Sequence, residues 1–160
     1  MTAVLVTGMS GTGKSTLLAA LAHRGHQTVD TDQGDWNEEV VGPDGIELLW
    51  REEPMARLLT EPRSGWLFVA GCVANQGAFY DRFAAVVLLS TPRTLMLSRL
   101  ATRTTNPFGQ QAADRTRIVA DLEAVEPLLR RTATVEVSTD GPLDEVVAAV
   151  EAAAQRAVRP

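Results

Sequence analysis

The chain has 160 residues, is 45% hydrophobic and carries a formal net charge of −5. That size suits one compact domain over residues 1–160 with a sizeable core and leaves little room for a second. The acidic balance argues against nucleic acid or membrane partners recognised by general attraction, one cysteine excludes an internal disulfide, and no apolar run has the length of a membrane span.

In chain order, residues 3–7 (AVLVT) open a series of five short β-branched, continuously apolar runs that read as strands buried on both faces. The others are 27–31, 66–71, 85–90 and 134–138. Between the first two, residues 14–24 carry Leu17, Leu18 and Leu21 at helical spacing and stop at Gly25, a natural residue just past a helix end. Residues 33–65, with several acids, three prolines and two tryptophans, break the alternation and read as a substrate flap. Thr91-Pro92 reads as an N-cap and first turn of a helix through Met96, Leu97 and Leu100. Residues 104–115 are polar and turn-rich, a candidate lid. A further helix carries Ile118, Leu122, Val125 and Leu129, with Pro127 expected to kink or restart it, and residues 143–157 form a last amphipathic helix. Strands alternating with helices predict an α/β fold with a mostly parallel five-stranded sheet covered on both faces, and ligands at the carboxyl edge of its strands.

Gly8-Met9-Ser10-Gly11-Thr12-Gly13-Lys14-Ser15 satisfies G-x-x-x-x-G-K-[ST] directly after an apolar strand and opening a helix. Glycines let such a loop curl until successive N–H groups face a phosphate, and the helix adds the positive end of its dipole. Lys14, the chain's one lysine, is placed to reach the β- and γ-phosphates of a nucleotide, and the Ser15 hydroxyl to coordinate Mg²⁺; Thr16 is a weaker phosphate contact. Motor-type and AAA-type ATPases need an Asp at the end of a later strand, and neither 66–71 nor 85–90 ends in one, so those classes are set aside. The absence of an Asn-Lys-x-Asp run sets aside guanine-specific GTPases.

The second strand ends VDTD, and in an extended segment Asp30 and Asp32 project to one side; the pair equally suits a solvated turn or a cap. Together with the cradle, this D-x-D resembles the shikimate-kinase-like and nucleoside-monophosphate-kinase-like group of small P-loop kinases, which implies a three-layer αβα P-loop fold. The resemblance implies that ATP and Mg²⁺ are the cofactors, that Asp30 helps hold the metal, and that Asp32 binds the acceptor hydroxyl and acts as its base. In SRLATRTTNP it implies Arg99 near the adenine or phosphates and Arg103 entering with the lid to neutralise the transferring group; ordinary surface arginines fit as well. It also implies that backbone from about Thr139 to Pro142 reads the adenine edge.

Around the acceptor the likeness thins. The Gly-aromatic-Pro-Arg of adenylate kinases and the three-glycine run of shikimate kinases are both missing from AGCVANQGAFYDRF. Arg51, Arg57, Arg63 and Arg82 are possible anion grips; Asn75 and Gln76 either bond an acceptor or finish a turn; Trp36 stacks on a ring or packs the flap. Cys72 reads as a small buried hydrophobe, and His23 and His26 as residues near a helix end with no metal set. The expectation is a cytoplasmic kinase, monomer or homodimer, that moves the γ-phosphoryl group of ATP to a small-molecule acceptor: a nucleoside, nucleoside monophosphate or shikimate-like polyol. Its rivals are a non-catalytic nucleotide sensor and an antibiotic or sugar phosphotransferase.

Overall fold

The computed structural model describes residues 2–102 and 111–158, so Arg103 and residues 104–110 of the expected lid lie outside it. Five strands, β1 (Ala3–Thr7), β2 (Gln27–Asp30), β5 (Leu67–Ala70), β6 (Ala85–Ser90) and β7 (Val135–Ser138), form one sheet in the order β2-β5-β1-β6-β7. Every neighbouring pair is parallel. Successive strands of the sheet are joined by crossovers that carry helical segments over it, as parallel strands require.

The continuous apolar runs earn their place at the centre. β1 and β5 are buried along their whole length, and β6 along all but Ser90. The edge strands β2 and β7 are only partly buried, so the expectation of burial on both faces fails there: each has one open edge. Side chains alternate between two cores at the period of a strand. Val4 and Val6 pack with Leu17 and Leu21 of α1 (Lys14–His23) and Val147 and Val150 of α5 (Leu143–Val158). Ala3 and Leu5 face the other layer, with Met55 of α2 (Glu52–Thr60) and Phe79 of a 3₁₀ stretch, Gln76–Arg82. Met96 and Leu100 of α3 (Arg93–Thr102) and Ile118 and Leu129 of α4 (Ala112–Thr132) complete that side. Each fully buried Leu, Val or Met contributes about 1.5–3 kcal/mol over its exposed state. None of the described helices is long and apolar enough to cross a membrane.

Three local expectations need correction. Residues 37–50 of the flap form an antiparallel hairpin, β3 (Asn37–Gly42) and β4 (Gly45–Trp50), with Gly42 opposite Gly45 and Pro43-Asp44 as the connection. The Gly-Pro-Asp-Gly between VV and IELL was the available signal, because Pro and Asp favour tight reversals. Pro127 does not end its helix; α4 runs unbroken from Ala112 through Thr132, so residues 112–115 of the expected lid are its first turn. Thr91 does not cap α3: its hydroxyl is buried without a hydrogen-bond partner among the described residues, and the Pro92 carbonyl accepts the first helical bond, from Met96 N.

Trp50 anchors the hairpin. It is 1% exposed, packs edge-on against Phe79, and donates from Nε1 to Thr31 Oγ1 at 3.0 Å. Asn75 clamps the same residue from both sides, accepting from Trp50 N at 2.8 Å and donating to Trp50 O at 3.0 Å. The flap base is thereby fixed to the ends of β2 and β5, beside the loop that follows β1.

Candidate active site

The loop after β1, at the middle of the sheet, curls back on itself as its glycines permit. Gly11 has φ +82°, and a Cβ there would lie 2.9 Å from the Met96 carbonyl oxygen, so both backbone conformation and space require glycine. Thr12 is fully buried and donates from Oγ1 to Met9 O at 2.8 Å, closing the loop from behind. Lys14 begins α1, and its Nζ donates to Gly8 O at 2.6 Å and Met9 O at 3.0 Å. The one ammonium of the motif is therefore held along the inner rim of the loop.

Ser15, one residue on, donates from Oγ to Asp30 Oδ2 at 2.7 Å. Two side chains expected from the sequence to share a metal ion are thus in direct contact, across fifteen residues of chain. Both offer hard oxygen ligands, the donor type Mg²⁺ selects, so the residues fit that ion. The acidic pair arrives differently from the extended geometry expected. The chain reverses after β2, Gln33 N bonding Asp30 O at 3.1 Å, and Asp30 Oδ1 accepts from Asp32 N at 3.1 Å. Asp30 stays at the strand end against Ser15, while Asp32 faces the cavity.

That cavity has a volume of about 510 Å³. Ser10, Gly11, Gly13, Lys14, Ser15 and Thr16 form one wall, Asp32 one end, and Arg99, Thr102, Thr139, Gly141, Leu143 and Val146 the other. Gly8 and Thr12 belong to the loop but do not line the cavity. Arg99 donates from Nη1 to Thr139 Oγ1 at 3.0 Å and from Nη2 to Thr139 O at 2.5 Å. Thr139 Oγ1 in turn donates to Thr12 O at 2.7 Å. Arg99 and the 139–142 loop therefore meet at one end of the cavity. The sequence pointed to Thr139 only for its backbone; its hydroxyl, tying α3 and the loop after β7 to the cradle, was not foreseen and has no local signature.

Other candidates turn inward. Gln76 is buried, accepts from Val73 N at 3.0 Å, and donates to Thr7 Oγ1 at 3.1 Å and Tyr80 Oη at 2.8 Å; with Asn75 on Trp50, neither amide faces the cavity. Trp36 packs on the core beneath the flap. Arg51 pairs with Asp35, Arg57 with Glu53 at 2.8 Å, Arg63 donates to Leu58 O, and Arg82 lies 5.8 Å over the Phe79 ring. Cys72 is half-buried against the Met9 cluster. His26 contacts Glu151 at 3.0 Å and packs edge-on to Phe68, and no metal-ligating cluster of three or more His, Cys, Asp or Glu occurs among the described residues.

Comparison with known proteins bears on the family and the fold. Residues 4–120 match a family model described as an AAA domain. No protein of curated function matches the sequence. Among solved structures, shikimate kinase from Acinetobacter baumannii in complex with shikimate aligns over 99% of this chain and 96% of its own, at 20% identity and a TM-score of 0.66. Shikimate kinase from Bacteroides thetaiotaomicron aligns over 94% and 96%, at 19% identity and a TM-score of 0.64. A gluconokinase from Sinorhizobium meliloti 1021 aligns over 96% and 91%, at 24% identity and a TM-score of 0.60. The fold is the three-layer αβα P-loop fold of these small kinases. The family description also corrects the setting-aside of AAA-type proteins. What stands of that argument concerns residues: β5 ends at Ala70 and β6 at Ser90, with no carboxylate at either end.

Proposed function

The chain belongs to the AAA domain family, and on that premise we propose that it is an ATP- and Mg²⁺-dependent small-molecule kinase. The observation that carries the reading is the contact between Ser15 and Asp30 at 2.7 Å, set beside Lys14 and Asp32 on the wall and end of one cavity. A phosphate cradle alone serves many reactions. A cradle set beside two carboxylates suits transfer to a second substrate.

The chemistry asked of the protein is mostly positioning and charge neutralisation. Loop amides from Ser10 to Thr16 and the N-terminus of α1 hold the phosphates, and Lys14 exchanges its two carbonyl partners for phosphate oxygens. Ser15 and Asp30 hold Mg²⁺, which when bound neutralises phosphate charge. Arg99 and the loop at 139–142 hold the base end. Asp32 orients the acceptor hydroxyl and takes its proton as the acceptor oxygen bonds to the γ-phosphorus and ADP leaves. Arg103, by its place after α3, is assigned to the transition-state charge. The acceptor is a small metabolite bearing a hydroxyl or phosphate.

The test is titration with a non-hydrolysable ATP analogue and Mg²⁺, followed by a screen of nucleosides, nucleoside monophosphates and polyols for ATP-dependent phosphorylation. Transfer to at least one acceptor, lost in Lys14→Ala and in Asp32→Asn while both variants stay folded, is the expected result. Binding without transfer to any acceptor turns the reading into that of a nucleotide sensor; full activity in Asp32→Asn removes that residue from its role.

A further inference from the structure

The two acids of the site are separated by one residue, and the flap grips that residue. Thr31 is fully buried. Its N–H donates to Ala70 O at 2.9 Å and its hydroxyl to the same oxygen at 2.8 Å, which pins it to the end of β5. With its single proton given to Ala70 O, Oγ1 is the acceptor for Trp50 Nε1 at 3.0 Å. The Thr31 carbonyl accepts from Asn37 Nδ2 at 2.6 Å.

The two flap residues on Thr31 stand opposite each other: Asn37 and Trp50 are the cross-strand pair at the base of the hairpin. One strand of the hairpin thus holds the carbonyl of Thr31 and the other its hydroxyl. Trp50 is itself fixed from outside the hairpin, by Asn75 on its backbone N and O and by Phe79 against its ring. The turn next to this joint carries the site. Asp30 Oδ1 accepts from Asp32 N, Gln33 N bonds Asp30 O, and Asp30 Oδ2 accepts from Ser15 Oγ. Thr31 is therefore held through its N–H, both sides of its hydroxyl and its carbonyl, and the directions in which Asp30 and Asp32 leave it are held with it. Such directions matter: removing a group that orients a metal ligand typically costs about 10–100-fold in metal affinity or activity.

Resting on the kinase reading above, we propose that Trp50 and Asn37 are positioning residues: the base pair of the hairpin, acting through Thr31, sets where Asp30 and Asp32 stand. Trp50, Asn37 and Thr31 do not line the cavity, so their effect on a ligand passes through the acids and not through contact. The phosphate cradle, by contrast, is built from the loop after β1 and takes no hydrogen bond from the hairpin base among those that hold Thr31. Loosening the joint should weaken the metal and the transfer step while sparing the grip on the triphosphate.

The experiment uses the full chain and removes single hydrogen bonds at the joint. Trp50→Phe keeps an aromatic ring and deletes the N–H, Thr31→Val keeps the side chain's shape and deletes the hydroxyl, Thr31→Ser retains the hydroxyl, and Asn37→Ala releases the carbonyl. Affinity for a non-hydrolysable ATP analogue is measured without metal. Mn²⁺, as a paramagnetic probe in place of Mg²⁺, is then titrated into the analogue with protein in excess and followed by electron paramagnetic resonance. Expected are Mn²⁺ affinities about tenfold weaker in Trp50→Phe, Thr31→Val and Asn37→Ala, near-native affinity in Thr31→Ser, and metal-free analogue binding within about twofold throughout. The double variant Thr31→Val/Trp50→Phe should bind Mn²⁺ no worse than the weaker single, because both lose the same bond. In the transfer assay, kcat falls by about tenfold or more with the KM for ATP within about twofold. Unchanged Mn²⁺ affinity in the folded variants overturns the proposal, as do losses that add in the double variant or fall equally on metal-free binding, which make the joint structural only. Should the buried substitutions prevent folding, Asn37→Ala at the half-buried partner decides by the same Mn²⁺ criterion. Transfer to no acceptor by the unaltered chain sinks the kinase reading, while the Mn²⁺ comparison still decides the positioning role; no Mn²⁺ binding by the unaltered, analogue-loaded chain overturns both.

Discussion

Replacing Thr139 by valine keeps the side chain's volume and removes only its hydroxyl. That hydroxyl has one proton, which goes to Thr12 O at 2.7 Å, so toward Arg99 Nη1 at 3.0 Å it acts as acceptor. Valine breaks both links at a position 6% exposed, where water does not readily replace them. The neutral bond contributes about 1 kcal/mol and the charge-assisted one about 1.5–3 kcal/mol. Arg99 keeps its second bond, to Thr139 O at 2.5 Å, which holds the charged contribution to the lower end. The sum is about 2–3 kcal/mol, or a fall in melting temperature of about 4–12 °C for a domain of this size. Because the lost links hold Arg99 and Thr12 in place, affinity for an ATP analogue should fall with stability, whereas Thr139→Ser should retain most of both. Thermal unfolding and calorimetric titration of the two variants decide it. If Thr139→Val melts within about 1 °C of Thr139→Ser and binds the analogue as tightly, the hydroxyl does not couple these elements and the reasoning fails.

Two further predictions come from other parts of the fold. Gly71→Ala should cost about 1–3 kcal/mol, since a Cβ there would lie 2.4 Å from Thr31 Oγ1 and 2.9 Å from Trp50 Cζ2, in the joint that fixes the hairpin; denaturant unfolding with an unchanged midpoint would refute that packing. Arg130 bonds both oxygens of Glu136, and this holds the Glu136 carboxyl below its usual value and the guanidinium above its own. A carboxyl depressed on folding adds stability that is present above its unfolded pKa and lost as pH falls through the folded one. Arg130→Gln should therefore lower the melting temperature at neutral pH and narrow its distance from wild type in acid; a pH-independent difference speaks against the ion pair.

The cradle, the five parallel strands and the helices around them were legible because each rests on a short-range rule: alternating or continuous apolar residues, a glycine past a helix end, a lysine and serine at fixed offsets from three glycines. The hairpin was legible in principle at Gly42-Pro43-Asp44-Gly45 and was obscured by the acids and prolines around it. Which polar side chains would be free for a ligand was not legible. Asn75 and Trp50 are twenty-five residues apart, Gln76 and Thr7 sixty-nine, and Thr139 and Thr12 one hundred and twenty-seven. A buried donor or acceptor must find a partner, but which one depends on what the folded chain brings within about 3 Å.

The sequence by itself determined that a phosphate-binding loop would stand at the end of a central strand, since that loop's backbone chemistry is encoded within eight consecutive residues. Only the tertiary structure decided that Asp30 meets Ser15, that Arg99 is fixed by Thr139, and that Arg51 is held by Asp35. The reason is physical: a hydrogen bond or ion pair needs two groups at once, and Ser15 with Asp30, like Arg99 with Thr139, joins segments that only the folded sheet makes neighbours.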